Sequence, residues 1–368
     1  MKIVIGADIV PTESNQKFFC EGKIDKFVDE KILEFLASAD IRIFNLEVPL
    51  TDTKSPIPKN GPNLIASTCS VKGIKALNPT LLTLANNHIL DHDVQGMVST
   101  TNVLRESDIA YVGVGNNIKE VLASYVIEKG GKKIGVYACA EHEFSIAEDN
   151  KPGANPFDPL ESPDHIRNLK KECDYVVVLY HGGREQYRYP SPRLQKVCRK
   201  MCDSGADLVV CQHSHCIGCE EKYHSSTIVY GQGNFIFDKL DNEYWNSGIF
   251  VCLEFEKEIE INYLPFCKKN YFIQLASQEE ATEILTQFKN RSEEILKADF
   301  VQKNYKELAE KLKNQYIGAI YGTSLIFRVL NKLTGYRLKR KISIKKMLIL
   351  KNFTKCEAHQ EIIDVLEI

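Results

Sequence analysis

The densest cluster of chemistry-capable side chains is Val210-Cys211-Gln212-His213-Ser214-His215. It follows Gly205-Ala206-Asp207-Leu208-Val209-Val210, which reads as a helix exit running into a buried strand. Residues two apart on a strand share one side, so His213 and His215 are expected to point the same way. Two neutral imidazoles converging at a strand end form a clamp for zinc, manganese or iron. His-x-His alone is a weak signal, because unrelated loops contain it. Four other apolar runs also end in ligand-type residues: Lys2 to Asp8 in a carboxylate, Ile41 to Glu47 in an amide and a carboxylate, Leu81 to His88 in an amide and an imidazole, and Tyr175 to His181 in an imidazole with Glu185 four residues on. Open α/β sheets bind ligands beyond the carboxyl ends of their strands. Asp8, Glu47, Asn87, His88, His181, His213 and His215 can therefore converge on one crevice. Taken singly, each could be a turn cap or a satisfied surface residue; five such junctions in one chain are hard to explain as five independent caps.

The blocks Gly6-Ala7-Asp8, Asn45-Leu46-Glu47-Val48-Pro49-Leu50-Thr51 and Ala85-Asn86-Asn87-His88-Ile89-Leu90-Asp91 are followed by His181-Gly182-Gly183-Arg184-Glu185, Gly205-Ala206-Asp207-Leu208-Val209 with His213-Ser214-His215, and Tyr230-Gly231-Gln232-Gly233-Asn234-Phe235-Ile236-Phe237-Asp238. In order and spacing this set resembles the capsule-synthesis CapA family, the poly-γ-glutamate biosynthesis relatives within the calcineurin-like metallophosphoesterase superfamily. The resemblance covers about residues 1 to 265. It implies an α/β fold: a calcineurin-like sandwich of two mixed sheets flanked by helices. It also implies two divalent metal ions (manganese, iron or zinc), with Glu47 bridging them, Asp8 and His215 completing one, and Asn87, His181 and His213 holding the other. His88 would protonate the leaving group. Asp91 would orient that imidazole, or cap a helix instead. Arg184, Glu185 and Asn234 would face the substrate, although Arg184 reads equally well as a surface arginine.

The implied function is metal-dependent hydrolysis or transfer in capsule or cell-surface polymer biosynthesis, by attack of a metal-activated hydroxide on a phosphoester or amide. The partner would be an anionic polymer, poly-γ-glutamate or polysaccharide. The alternative is a non-catalytic assembly or export component that keeps the fold and binds polymer or a partner enzyme. The chain departs from the phosphoesterase pattern at four places. Val10 stands where a histidine is usual, which leaves the second metal with fewer protein ligands. Gly182 replaces an aromatic residue, Ser214 replaces a proline, and Cys211-Gln212 replaces a glycine-histidine approach.

A net charge of −2 gives no global reason to expect nucleic acid. The chain opens directly on a strand-like run, with no signal-peptide pattern and no run of 18 apolar residues, so a cytoplasmic protein is expected. The 12 cysteines lie mostly in apolar or helical patterns, which favours reduced buried thiols. Cys216-x-x-Cys219 could mark zinc or redox chemistry, but no second such pair follows.

The first 240 residues alternate strand and helix signals, with strands expected at 2–7, 41–46, 80–85, 109–113, 133–139, 174–180, 207–211 and 227–231. Helices are expected over Asp29 to Ala39, Val94 to Arg105 and Pro192 to Ser204, a hairpin over Tyr125 to Ala138, and two further strands within 247–265. Proline-rich stretches at 51–63 and 149–163 read as lids or substrate-binding loops. These signals divide the chain into a domain at 1–268 and a helical, basic extension at 269–368. Ser277 to Leu312 has helical spacing. From Lys311 to Lys355 there are twelve cationic residues and no Asp or Glu. That stretch reads as a solvated basic face, or as a peripheral contact for an anionic membrane or acidic partner.

Overall fold

The structure, a computed structural model, describes residues 1–121, 123–238, 242–255, 259–269, 271–321, 329–330 and 332–334. Its central strands, Lys2–Ile9, Tyr175–His181 and Leu208–Gln212, read as near-continuous apolar runs because both of their faces are covered. The first sheet has the spatial order Phe272–Leu275, Ile259–Lys269, Ser247–Phe255, Lys2–Ile9, Ile41–Leu46, Leu81–Thr83, Tyr111–Val112, and Asn234–Ile236 joins it parallel to Lys2–Ile9. The second runs Glu220–Tyr223, Ser226–Val229, Leu208–Gln212, Tyr175–His181, Lys132–Ala140, Ser124–Lys129. Both mix parallel and antiparallel pairs, and the two form the expected α/β sandwich.

Strand alternation sorts the core into three layers. Ile3, Ile5, Ile41 and Ile43 share a central core with Val136, Val177, Leu179, Leu208 and Val210. Val4, Phe44 and Leu82 turn the other way, onto helix residues Ile32, Leu36, Ile74 and Leu104. Val176, Val178 and Val209 back onto Leu169, Cys198 and Met201. Each fully buried side chain of this kind contributes about 1.5–3 kcal/mol. Local signals set the helix ends. The Asp29 side chain caps Glu30–Ala37 by accepting from the Lys31 amide, and Ser191 caps Pro192–Asp203 by accepting from the Leu194 amide. Gly205 then stops the second helix at φ +112°.

The parallel strands of each sheet end on the same side, which is where the ligand-type residues lie. Pairing between Lys2–Ile9 and Ile41–Leu46 shifts register between Ile5 and Asp8. Such irregularities re-aim side chains beside functional sites. Gly6 lies in this stretch against the Phe44 ring, where an added Cβ would come within 2.2 Å of a ring carbon.

Several expectations need amending. The helical stretch from Ser277 is two helices, Gln278–Glu294 and Phe300–Tyr321, separated where Asp299 takes a left-handed φ of +59°. The 149–163 stretch contains the short strand Gly153–Ala154 and the start of helix Ser162–Glu172. Cysteine usage is not uniformly reduced: Cys20 and Cys69 form a disulfide, while among the described residues nine others are free and buried, including Cys216 and Cys219. The chain divides into two compact units, Met1–Gln302 and Lys303–Ile368. The first includes strand Phe272–Leu275 and helix Gln278–Glu294. Most of the basic stretch 311–355 lies outside the described residues. Among the described residues no helix is long and apolar enough to cross a membrane.

Candidate metal centre

Asp8, Glu47 and Asn87 come from strand ends of the first sheet, and His181, His213 and His215 from strand ends of the second. All six are buried. They converge, but not through strand alternation at the histidine pair. Strand Leu208–Gln212 stops before His213, and both histidines take left-handed backbone conformations, φ +87° and +52°. The turn, rather than the pleat, brings them together.

One set of ligand atoms surrounds His181 Nε2. Asn87 Oδ1 lies 3.0 Å from it, His213 Nδ1 3.1 Å and Glu47 Oε1 3.3 Å. Ligand atoms about 2.1 Å from a tetrahedral ion sit about 3.4 Å apart, so these spacings fit four donors around one cation. A second, wider set comprises Asp8, Glu47 and His215. His215 Nδ1 lies 3.8 Å from Asp8 Oδ2, and its Nε2 4.0 Å from Glu47 Oε1. Asp8 Oδ2 and both Glu47 oxygens are buried with no hydrogen-bond partner. Unpaired buried carboxylate oxygens are costly, and a divalent cation satisfies them. The donor set fits a metal. Among the described residues, Glu47, His213 and His215 form one metal-capable cluster, and Glu141, Glu143 and His213 another; neither includes a cysteine.

The electrostatics agree with this fit. Burial, then the Glu47 charge, pushes the Asp8 carboxyl up to about 8. Burial pushes Glu47 up to about 7. It lowers His181 to about 4, His215 to about 3 and His213 well below the usual imidazole value. The imidazoles are thus neutral, the form that ligates.

His88 stands beside this set. Its Nδ1 is 2.6 Å from Asp91 Oδ2. Asp91 does not cap the following helix; it accepts from the Leu64 amide at 2.5 Å and from Lys59 Nζ. Asn234 is fully buried, with its Oδ1 2.8 Å from His215 Nδ1. That bond puts the ring proton on Nδ1 and leaves Nε2, with its lone pair, as the nitrogen of His215 that could ligate. Arg184 is half-buried and Glu185 exposed on the turn after His181, and the Glu185 charge acts on both Glu47 and His181.

Five supporting residues were not among the site candidates read from the sequence. Asn45 donates to Asp8 Oδ1 at 2.8 Å and lies 3.3 Å from His181 Nδ1. Asn86 donates to the Leu46 carbonyl and accepts from the His88 amide. Glu141 and Glu143 directly follow strand Lys132–Ala140, so the strand-end signal was present there too. Lys59 carried no such signal: it reaches Asp91 from a proline-rich loop, with its side chain 2% exposed.

The family model for the bacterial capsule synthesis protein PGA_cap matches residues 3–239. The chain is 32% identical over 222 residues to the capsule biosynthesis protein CapA of Bacillus anthracis, covering 58% of this chain and 54% of that protein. It is 35% identical over 173 residues to the PGA biosynthesis protein CapA of Bacillus subtilis, covering 46% of each. The match thus spans about half the length of these curated relatives. Among solved structures it is similar to a putative 5'-nucleotidase from Staphylococcus aureus, with a TM-score of 0.45 and 14% identity, covering 78% of this chain and 57% of that one. The conserved-model match takes in every strand end that supplies a ligand-type residue, and on that match the chain belongs to the bacterial capsule synthesis PGA_cap family.

Proposed function

We propose that the chain is a metal-dependent hydrolase or transferase of capsule or cell-surface polymer biosynthesis, acting on a phosphoester or amide of an anionic polymer. The observation that carries this reading is the group of three unpartnered buried carboxylate oxygens on Asp8 and Glu47, facing imidazoles held neutral by burial. Glu47, Asn87, His181 and His213 would hold one divalent cation; Asp8, Glu47 and His215 would hold a second, more weakly. Bound there, such cations polarise a phosphoryl or carbonyl oxygen and bring the pKa of water toward neutrality.

The remaining work falls to the chain's own groups. Asp91 fixes the His88 ring through Nδ1, leaving Nε2 to give a proton to the leaving group. Lys59 pairs with Asp91 from the other side and so holds the carboxylate that orients His88. Arg184 would face an anionic group of the substrate, with Glu185 at the rim. Asn234 holds His215 from behind.

A second reading, a non-catalytic assembly component that binds polymer or a partner enzyme, is favoured by Val10, buried at the position where a further metal ligand is usual. Elemental analysis of the purified protein, paired with a screen of phosphodiester and γ-glutamyl substrates, separates the two. Bound metal with turnover supports the enzyme; bound metal with polymer affinity and no turnover supports the assembly component. No metal at all sinks both forms of the site assignment. Peripheral contact to an anionic membrane or acidic partner through 311–355 belongs to the same proposal. Salt-sensitive vesicle binding tests it.

A further inference from the structure

An asparagine ligates through Oδ1, and only a partner for its amide nitrogen fixes which atom faces the ion. Glu143 Oε2 accepts from Asn87 Nδ2 at 2.8 Å, and this leaves Asn87 Oδ1 3.0 Å from His181 Nε2. A histidine that ligates through one nitrogen needs its ring set from the other. His213 presents Nδ1 to His181 Nε2 at 3.1 Å, and its Nε2 faces Glu141 Oε1 at 3.7 Å. Glu141 is itself held, with Oε2 accepting from the Gly183 amide at 3.2 Å. Both carboxylates follow strand Lys132–Ala140, which is parallel to Tyr175–His181 and pairs Ala140 with His181. That pairing places residues 141 and 143 beside His181, whose Nε2 lies next to both Asn87 Oδ1 and His213 Nδ1.

We propose that Glu141 and Glu143 are positioning residues for the first metal position, with Glu143 fixing the amide of Asn87 by a hydrogen bond and Glu141 orienting the ring of His213 by its charge across 3.7 Å. The inference rests on the metal reading above. Nearest neighbours on the same atoms offer a rival: Glu141, Glu143 and His213 place ligand atoms within 4.8 Å of one another, so the two carboxylates could themselves hold an ion. Against this, one oxygen of each is already taken by an N–H donor, and the Asn87 bond serves no purpose for such an ion. The arrangement also explains how a site lacking a histidine at Val10 keeps one position well defined: its ligands are locked from outside.

The test uses the full chain, stripped with chelator and titrated with Co²⁺. Calorimetry reads affinity, elemental analysis reads stoichiometry, and the visible absorption of bound Co²⁺ reads ligand geometry. Removing such a partner typically costs about 10–100-fold in metal affinity. Glu143→Leu is expected to lose that much at the tighter site and to alter the Co²⁺ spectrum, with the number of ions unchanged. Glu143→Gln still offers an oxygen to Asn87 Nδ2 and should restore both. Glu141→Leu should act on the same site, with partial restoration by Glu141→Gln. Should Glu143→Leu fail to fold, Glu143→Asp, which keeps the charge and shortens the reach, carries the same expectation of weakened binding. Wild-type affinity and spectrum in the folded Leu or Asp variants would overturn the proposal. Loss of one whole ion would overturn it in favour of direct ligation. A wild-type chain that binds no Co²⁺ would instead defeat the metal reading on which it rests.

Discussion

His88 and Asp91 sit three residues apart at one strand end, beside the ligand set, and their 2.6 Å contact defines a testable division of labour. His88→Ala should lower turnover by about 10²–10⁴-fold, the usual contribution of a general acid, while metal content stays unchanged. Loss of metal in that variant would make His88 a ligand instead. The buried carboxyls predict a pH signature. Asp8 and Glu47 are raised to about 8 and about 7, so in metal-free protein their contribution to stability is complete below ordinary carboxyl values and lost as pH rises through 7–8. His181 and His215 are lowered, so theirs is lost as pH falls below about 6.5. A cation favours the ionised carboxylates and competes with protons. The rise in melting temperature on adding Mn²⁺ should therefore grow from about pH 5 to pH 8; a rise that shrinks over that window would contradict the ligand assignment. The convergence of the six candidate residues was legible because their side-chain types are rare at successive strand ends. Their supports were not: Asn45 and Asn86 look like ordinary turn amides, and Glu141 was masked because the strand before it was read one residue short.

Strands and helices were legible wherever burial is two-sided or a cap is present, as at Asp29 and Ser191. They were less so where tertiary contact decides. The left-handed turn at His213 and His215 and the break at Asp299 follow from packing, which no local pattern reports. The loop at 51–63 is the clearest case. Proline content marked it as a loop, but nothing in it announced that Lys59 would fold inward to a fully buried Asp91 while its neighbours stay at the surface. Breaking one partner of a buried ion pair typically costs about 3–5 kcal/mol, because the other charge is left uncompensated. Lys59→Met should therefore destabilise the protein by that order in denaturant titration and open 51–63 to limited proteolysis. If the cost is under about 1 kcal/mol, the pair behaves as a surface contact and the loop is not anchored through it.

At the scale of the molecule, the sandwich was legible from alternating strand and helix signals, and its register was not. Helix Gln278–Glu294 lies beyond the family-model match, yet its buried Arg291 donates from Nε to the Gly218 carbonyl at 2.7 Å and from Nη2 to that of Ile217. Those carbonyls lie two and three residues after His215 in the chain. A chain ended at residue 268 should therefore bind metal more weakly than one ended at Gln302, by calorimetry; equal affinities would show the helix to be a passive cover. The placement of the ligands has a wider effect. Three hang from one sheet and three from the other, so each cation would rivet the two sheets at a rim where the strands have run out. Closing a loop from Asp8 to His215, about 200 residues, is entropically expensive for a free chain, and an ion that closes it draws on that expense. Chelation should then fray the sandwich from this rim inward, with amide hydrogens near Asp8, Glu47 and His181 exchanging first while those of Ile3, Val177 and Val209 stay slow.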